Sequence, residues 1–366
     1  MRKGLVLFIV INIFIITFLV HSVFTLLTLL FEDASADAIS NLELPAPNSS
    51  SIIGMDQHIP KIIHQTYKNE SIPAIWQGAQ QSCIDLHPDY EYKLWTDDKS
   101  RDFIAKEYPW FLNTFENYEF PIQRADAIRY FVLAHYGGTY VDLDDGCNRR
   151  LDPLLQFGAW VRRTSPTGIS NDAMGAIPRH PFFQRVIEQI ENYDRHWVLP
   201  YITVMYSTGP LFLSVLWKEY MLTDPDELAR VRILMPEHYN RNPWSFFVHH
   251  QGSSWHGKDA QLIFWMGQHW KLLTVAGFLT AGVVGLCLWW LYTRVIRLGS
   301  RRWSRVHHRY ARIPSRAPSA APTPPHSPSV SPTRIKLRNI FPNHQRNSKR
   351  DDDVETGHIE RVGRHV

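Results

Sequence analysis

Residues 122–147 read IQRADAIRYFVLAHYGGTYVDLDDGC, and this stretch decides the fold. Residues 122–135 read as a helix, ended by Gly137-Gly138, because glycine continues the chain past a helix end without a Cβ penalty. Residues 139–143 (TYVDL) then read as a strand. A helix that feeds a strand through a tight turn fits an α/β sheet. Upstream, residues 61–67 (KIIHQTY) form a short apolar run after Pro60 and read as a first strand. Residues 75–83 suit a helix. Residues 90–95 (YEYKLW) alternate as a second strand, and Thr96-Asp97-Asp98 caps a short helix over 101–108 that Pro109 ends. The domain so outlined covers residues 58–271, an ordinary size for one α/β unit.

The carboxylates carry the chemistry. Asp142, Asp144 and Asp145 follow an apolar strand, and Asp142 and Asp144 share the period-two face of an extended chain. Two carboxylates there can hold Mn2+ or Mg2+, both of which favour oxygen ligands. An acidic surface turn is the plainer reading, and an apolar strand ending abruptly in carboxylates disfavours it. On the preceding helix Asp126 and Arg129 are three apart and project together. Asp126 can accept hydrogen bonds from sugar hydroxyls, and Arg129 can clamp a phosphate or sugar oxygen bidentately; a local ion pair is the alternative. A third cluster, residues 246–256 (FFVHHQGSSWH), is again an apolar strand ending in polar groups. His249 or His250 can give an imidazole nitrogen to Mn2+. Ser253 and Ser254 can reach a phosphate, and Trp255 can close over a donor and donate its Nε1–H to a leaving oxygen. A histidine-bearing loop near a membrane is the bland reading.

Two apolar runs flank the domain. Residues 5–31 form a run of 27 residues without a charge, long enough to cross a bilayer of about 30 Å. A signal peptide, the alternative, has an apolar region of only about 7–15 residues. Residues 272–293 (LLTVAGFLTAGVVGLCLWWLYT) end in aromatics, and Arg294, Arg297, Arg301, Arg302 and Arg305 follow; a buried core helix is the alternative. Arg2 and Lys3 precede the first run. Basic flanks stay cytosolic, so residues 32–271 fall on the luminal side, after a stem over 32–57. The 366-residue chain carries a formal charge of +4, but residues 297–366 hold 15 Lys/Arg against 5 Asp/Glu, while residues 1–296 hold 24 against 30. The basicity therefore belongs to the tail over 294–366, which reads as largely disordered and cytosolic, and a basic nucleic-acid-binding core is disfavoured. Three cysteines exclude a disulfide scaffold. Cys83 and Cys147 meet an oxidising compartment in this topology, although spacing does not show them to be neighbours. Asn48 and Asn69 lie in glycosylation triplets.

Taken together, residues 59–65 (IPKIIHQ), 123–130 (QRADAIRY), 135–147 (HYGGTYVDLDDGC) and 249–255 (HHQGSSW) resemble the fungal inositol-phosphoceramide mannosyltransferases, part of a wider Asp-x-Asp group. The resemblance covers about residues 58–260. It implies a GT-A-like nucleotide-sugar glycosyltransferase domain flanked by two transmembrane helices, GDP-mannose as donor, a divalent metal and retention of anomeric configuration. It also implies a Golgi location and a membrane lipid acceptor. The bacterial toxin glucosyltransferases are distantly similar at the same elements. By that likeness Asp126 and Arg129 hold the donor, and Asp142 and Asp144 form the metal motif. His250 stands where that group has a metal-binding acid, with His249 as the competing choice. His64 and Gln65 fall at the strand end near the base.

The implied mechanism is front-face attack by the acceptor hydroxyl, since no carboxylate stands out by spacing as a nucleophile. Three functions compete: transfer of mannose to inositol phosphoceramide, a Golgi mannosyltransferase acting on protein-linked glycans, and a non-catalytic membrane subunit. The second crossing favours the lipid acceptor, and Trp244, Phe246 and Phe247 lie near it, either approaching lipid or serving as core. Intact Asp126, Asp142 and Asp144 weigh against the non-catalytic reading. A regulatory membrane subunit stays open as a partner.

Overall fold

The computed structural model describes residues 2–22, 24–32, 34–46, 55–164, 167–239, 242–250, 252 and 257–310. The chain divides into two compact units, Met1–Val283 and Val284–Val366. The first opens on helices α1 (Arg2–Ser22) and α2 (Phe24–Leu29). It continues through β1 (Ile62–Thr66), α3 (Ala74–Leu86), β2 (Glu91–Trp95), α4 (Asp97–Glu107), α5 (Leu112–Asn117), α6 (Pro121–Tyr136) and β3 (Gly138–Val141). Then come β4 (Asp145–Cys147), β5 (Ala159–Arg163), β6 (Ile169–Ala176), α7 (Pro181–Gln189), α8 (Pro200–Ser207), α9 (Pro210–Met221), β7 (Val231–Leu234), β8 (Phe247–His249) and α10 (Lys258–Gln268). Helix α11 (Trp270–Tyr310) runs across the unit boundary, and in the second unit the described residues, 284–310, belong to it.

Six strands form one mixed sheet in the order β2-β1-β3-β6-β5-β7. β1 pairs in parallel with β2 and β3, β6 pairs antiparallel with β3 and β5, and β7 pairs in parallel with β5. β4 and β8 make a separate antiparallel pair, with Asp145 opposite His249. The α/β reading therefore holds. Thr96 caps α4 as expected, its hydroxyl accepting from the Lys99 amide (3.3 Å), and this cap starts the helix at Asp97 rather than at 101.

Helix α6 is buried without a break from Asp126 to Ala134. It packs on β1, β3, β6 and α7, which explains why it is apolar on more than one face. Its exit is tight. Gly137 and Gly138 have φ of 66° and 95°, and a Cβ on Gly138 would lie 2.8 Å from the Ile62 carbonyl oxygen. Only glycine adopts that backbone without strain at so close an approach.

One core cluster gathers α6, α7 and α9 residues such as Phe131, Phe183 and Trp217. A second gathers Ile63, Trp160, Phe246 and Phe247. Phe246 and Phe247 are fully buried, so the core reading of these two replaces a lipid-facing one; Trp244 is half exposed. A disulfide joins Cys83 on α3 to Cys147 on β4, with Cα atoms 4.7 Å apart.

The flanks differ from expectation in three respects. The far end of the apolar run over 5–31 is taken up by the domain: α1 covers Arg2–Ser22 and α2 covers Phe24–Leu29, and α2 packs on α9. Leu29 of α2 is 2% exposed and belongs to the main core. Among the described residues one helix, Trp270–Ile296, is long and apolar enough to cross a membrane, and Ile9–His21 is a shorter apolar helix. Residues expected as a stem are built into the domain. Ala34, Ile39 and Leu44 are buried, the Ile39 amide donates to the Ile233 carbonyl (2.9 Å), and Arg232 pairs with Glu43 (2.8 Å). Finally, residues 294–310 of the expected tail are helical, whereas residues 311–366 and Asn48 lie outside the described residues.

Candidate active site

Strand β3 stops at Val141, earlier than the sequence suggests. Residues 143 and 144 form a turn in which the Asp145 amide donates to the Asp142 carbonyl (3.0 Å). Asp142 and Asp144 therefore come together through a turn rather than along one face of a strand. Asp145 begins β4 and points elsewhere. Its carboxylate is fully buried and takes Arg162 Nη1 (2.5 Å) and His249 Nδ1 (3.0 Å). Burial works to raise the Asp145 pKa, but Arg162 and His249 outweigh it and hold the carboxyl below its usual range. Of the three aspartates, two face a cavity and one anchors the turn.

Arg129 ties α6 to this turn. Its guanidinium reaches Asp126 Oδ1 (3.0 Å) and Asp142 Oδ1 (3.2 Å), donates to the Asn171 carbonyl (2.7 Å), and lies 4.8 Å from the Tyr140 ring centroid. Asp126 also accepts from Asn171 Nδ2 (3.0 Å) and Thr208 Oγ1 (3.3 Å). Both Asp126 and Arg129 are buried. Burial pushes Asp126 up to about 6 although Arg129 opposes it. Asp142 accepts from the Tyr140 hydroxyl (2.6 Å). Burial carries it to about 7, again against Arg129, with Asp144 adding repulsion. Asp144 is raised by burial and by Asp145.

Asp142 and Asp144 line the same cavities, and a hard divalent cation between them would offset their charge and favour the ionised forms. The chain also closes in on Asp144: a Cβ on Gly252 would fall 1.6 Å from its Oδ2. Among the described residues no group of three His, Cys, Asp or Glu is close enough to hold a metal ion. His249 lines a cavity with Asp142 and Asp144. The His250 ring lies instead over Gly146, whose Cβ would be 3.3 Å from its Nε2. Ser253 and Trp255 lie outside the described residues.

Two cavities flank the turn. One, of about 660 Å³, is lined by Thr66, Tyr67, Lys68, Trp76 and Asp97 on its far side. The other, of about 750 Å³, reaches Asp126, Asn171, Asp172 and His249. Arg129, Asp142, Asp144, Ile122 and Tyr201 line both. His64 and Gln65 reach neither. Both are fully buried. Trp95 Nε1 donates to His64 Nδ1 (3.0 Å), which leaves Nε2 to donate to the Gly137 carbonyl (2.8 Å). The Tyr92 hydroxyl donates to Gln65 Oε1 (2.8 Å). Thr66, Tyr67 and Lys68, the next residues along the chain, line the first cavity instead. Tyr140, which holds Asp142 from two residues away, was within reach of period-two reasoning. Asn171 and Asp172 sit on a strand distant in sequence, and no local signal marks them.

Residues 73–159 match the family described as glycosyltransferase sugar-binding region containing DXD motif. Mannosyl phosphorylinositol ceramide synthase CSH1 of Saccharomyces cerevisiae is 52% identical over 283 residues, 76% of this chain and 75% of that protein. Mannosyl phosphorylinositol ceramide synthase SUR1 of the same organism is 52% identical over 76% of this chain and 72% of its own length. Inositol phosphoceramide mannosyltransferase 2 of Schizosaccharomyces pombe is 51% identical over 66% of this chain and 72% of that protein. With Asp142 and Asp144 lining both cavities and identity of this extent across the domain, the chain belongs to the fungal inositol phosphoceramide mannosyltransferases, enzymes of the DXD glycosyltransferase group.

Proposed function

We propose that this mannosyltransferase moves mannose from GDP-mannose to inositol phosphoceramide, forming mannosyl-inositol phosphoceramide with retention of configuration on a GT-A-like domain. The shared floor carries the reading. Arg129, Asp142 and Asp144 line both cavities, so a donor in one and an acceptor in the other bring their reacting ends to the same charges. The names of the relatives support the acceptor. The first cavity suits a nucleoside diphosphate: Tyr67 and Trp76 offer rings to a base, Lys68 and Arg129 oppose phosphate charge, and Asp97 can accept the paired N–H groups of guanine.

Asp142 and Asp144 would hold the ion, Mn2+ with Mg2+ as the alternative, and the His249–His250 pair would add an imidazole. Bound there, the ion offsets the charge that grows on the departing diphosphate. Arg129 opposes the same charge from a position fixed by its four contacts. Asp126 accepts hydrogen bonds from mannose hydroxyls. The acceptor hydroxyl attacks the anomeric carbon from the face the diphosphate leaves. The new C–O bond forms as the C–O bond to the phosphate breaks, and the proton passes to the departing phosphate oxygen.

The enzyme resides in Golgi membranes with its catalytic domain luminal and both termini cytosolic, crossing within α1, short of the expected residue 31 because α2 packs into the domain, and at residues 272–293. Membranes carrying the enzyme should transfer label from GDP-mannose, and not from UDP-sugars, to inositol phosphoceramide. Turnover of protein-linked glycans without turnover of the lipid would overturn the reading.

A further inference from the structure

The second cavity joins two kinds of surface. Its floor is polar, with Asp142, Asp144, Asp172 and His249. Its outer walls are apolar: Leu26 of α2 and Leu30 just past its end on one side, and Phe264 from α10 on the other. The α2 wall is fixed in place. Leu29 is in the core, its carbonyl accepts from the Thr167 hydroxyl, Arg163 donates to the Glu32 carbonyl (2.6 Å), and Lys218 pairs with Glu32. Leu30 nevertheless stays 63% exposed while lining the cavity, so this wall opens outward.

Each wall continues into apolar chain. α2 follows the apolar helix Ile9–His21, and α10 leads into Trp270–Ile296. Phe14 and Phe18 of the first and Phe278 of the second are exposed. A soluble sugar chain has no use for such walls. A lipid does, because its headgroup can reach the acidic floor while its chains pass out between α2 and α10 into the bilayer. The acidic floor also favours hydroxyl groups, which donate hydrogen bonds to carboxylates. Asp172 is placed to receive one. Its Oδ1 takes the Ala173 amide (2.8 Å), its Oδ2 faces Arg162 (3.2 Å), and the side chain stays partly open to the cavity.

Resting on the function proposed above, we propose that the second cavity is the acceptor site, that α2 and α10 form a lateral opening for a lipid with a polyol headgroup, and that Asp172 orients the attacking hydroxyl. The test uses the full-length enzyme in lipid nanodiscs with GDP-mannose and Mn2+. Two acceptors are compared: inositol phosphoceramide, and water-soluble glycerophosphoinositol, which carries the headgroup without long chains. Leu30→Asp and Phe264→Asp should each lower kcat/KM for the lipid about tenfold more than for the soluble ester, since each removes one apolar contact with the chains. Asp172→Asn should lower turnover of both acceptors about a hundredfold, while the Kd for GDP stays within about twofold.

Equal losses on the two acceptors in both wall variants would overturn the proposal, as would full lipid turnover in either. So would a GDP Kd that moves with Asp172→Asn. A diazirine-tagged lipid supplies an arm on the unmutated enzyme. It should label α2 and α10 peptides, and excess unlabelled inositol phosphoceramide should remove that label; label that excess lipid leaves in place counts against the site. If the unmutated enzyme turns over neither acceptor, the functional reading fails and this proposal with it. If it turns over the lipid and the wall variants keep the wild-type ratio, the acceptor site alone fails.

Discussion

Replacing Arg129 tests the electrostatic frame of the site. Its guanidinium serves Asp126, Asp142 and the Asn171 carbonyl at once. Arg129→Ala leaves the buried Asp126 carboxyl and the partly exposed Asp142 carboxyl without the cation they share. Breaking a buried ion pair from one side costs about 3–5 kcal/mol. The lower end applies here, because burial already holds Asp126 at about 6 and Asp142 at about 7, so each can escape part of the cost by taking up a proton. A loss of about 3 kcal/mol lowers the melting midpoint of a domain of this size by about 6–12 °C. Arg129→Lys should recover only part of it, since one ammonium cannot span the contacts of a planar fork. Arg129→Ala/Asp126→Asn should melt above Arg129→Ala alone, because the second change removes one of the stranded charges. Thermal unfolding followed by intrinsic fluorescence on the detergent-purified enzyme gives these midpoints, and mannose transfer should fall about a hundredfold or more in both single variants. If the double variant melts no higher than Arg129→Ala, or if Arg129→Lys matches the wild type in both assays, the frame described here is wrong.

Asp142→Asn and Asp144→Asn should each abolish transfer, and a chelator should do the same to the wild type until Mn2+ is added back; transfer that survives in chelator removes the metal from the reaction. Burial pushes His64 down to about 4 from an ordinary 6.5, so the unfolded chain binds the proton more readily. Stability is then complete above about pH 6.5 and falls as the pH drops toward 4, by about 3 kcal/mol from this residue. His87, His180 and His238, also lowered by burial, act in the same direction. Asp126 and Asp142, raised by burial, act in the opposite direction over the same window, so the test is a difference: the midpoint of His64→Gln relative to the wild type should rise as the pH goes from about 7.5 to about 4.5. Cys83→Ser/Cys147→Ser opens a loop with a sequence separation of 64 and should cost about 4 kcal/mol; an unchanged midpoint under reducing and non-reducing conditions would show that the bond does not form.

The helix, the glycine turn and the strand around residues 122–147 were legible because local chemistry determines each of them. Arg129 and Asp126 were legible as a pair for the same reason, being one helical turn apart. The division of labour among Asp142, Asp144 and Asp145 was not. It depends on where β3 stops, and the stop is set by Arg162 and His249 drawing Asp145 into the β4–β8 pair. His64 looked like a site residue because polar side chains at a strand end usually face a ligand. Here Trp95 and the Gly137 carbonyl occupy both its nitrogens, and Trp95 comes from the neighbouring strand. The stem was misjudged on composition: small and acidic residues over 34–44 look solvated, yet Arg230 and Arg232 on and beside β7 pair with Asp37 and Glu43 and hold the segment down.

The spacing between Arg129 and Asp142 has a geometric basis. From Tyr136 back to Arg129 the helix rises about 10 Å, at roughly 1.5 Å per residue. From Gly138 forward to Asp142, through β3 and one residue past its end, the chain covers about 13 Å, at roughly 3.3 Å per residue. Seven residues of helix and four of strand therefore cover nearly the same length. The two glycines reverse the chain within a single step, so α6 and β3 start back to back. The cation on the helix thus arrives level with the carboxylate at the strand end, within 3.2 Å. A longer turn would let the two slide past each other. The backbone strain that Gly137 and Gly138 avoid is thus tied to the placement of the charges, and the stretch that sets the fold also sets the chemistry.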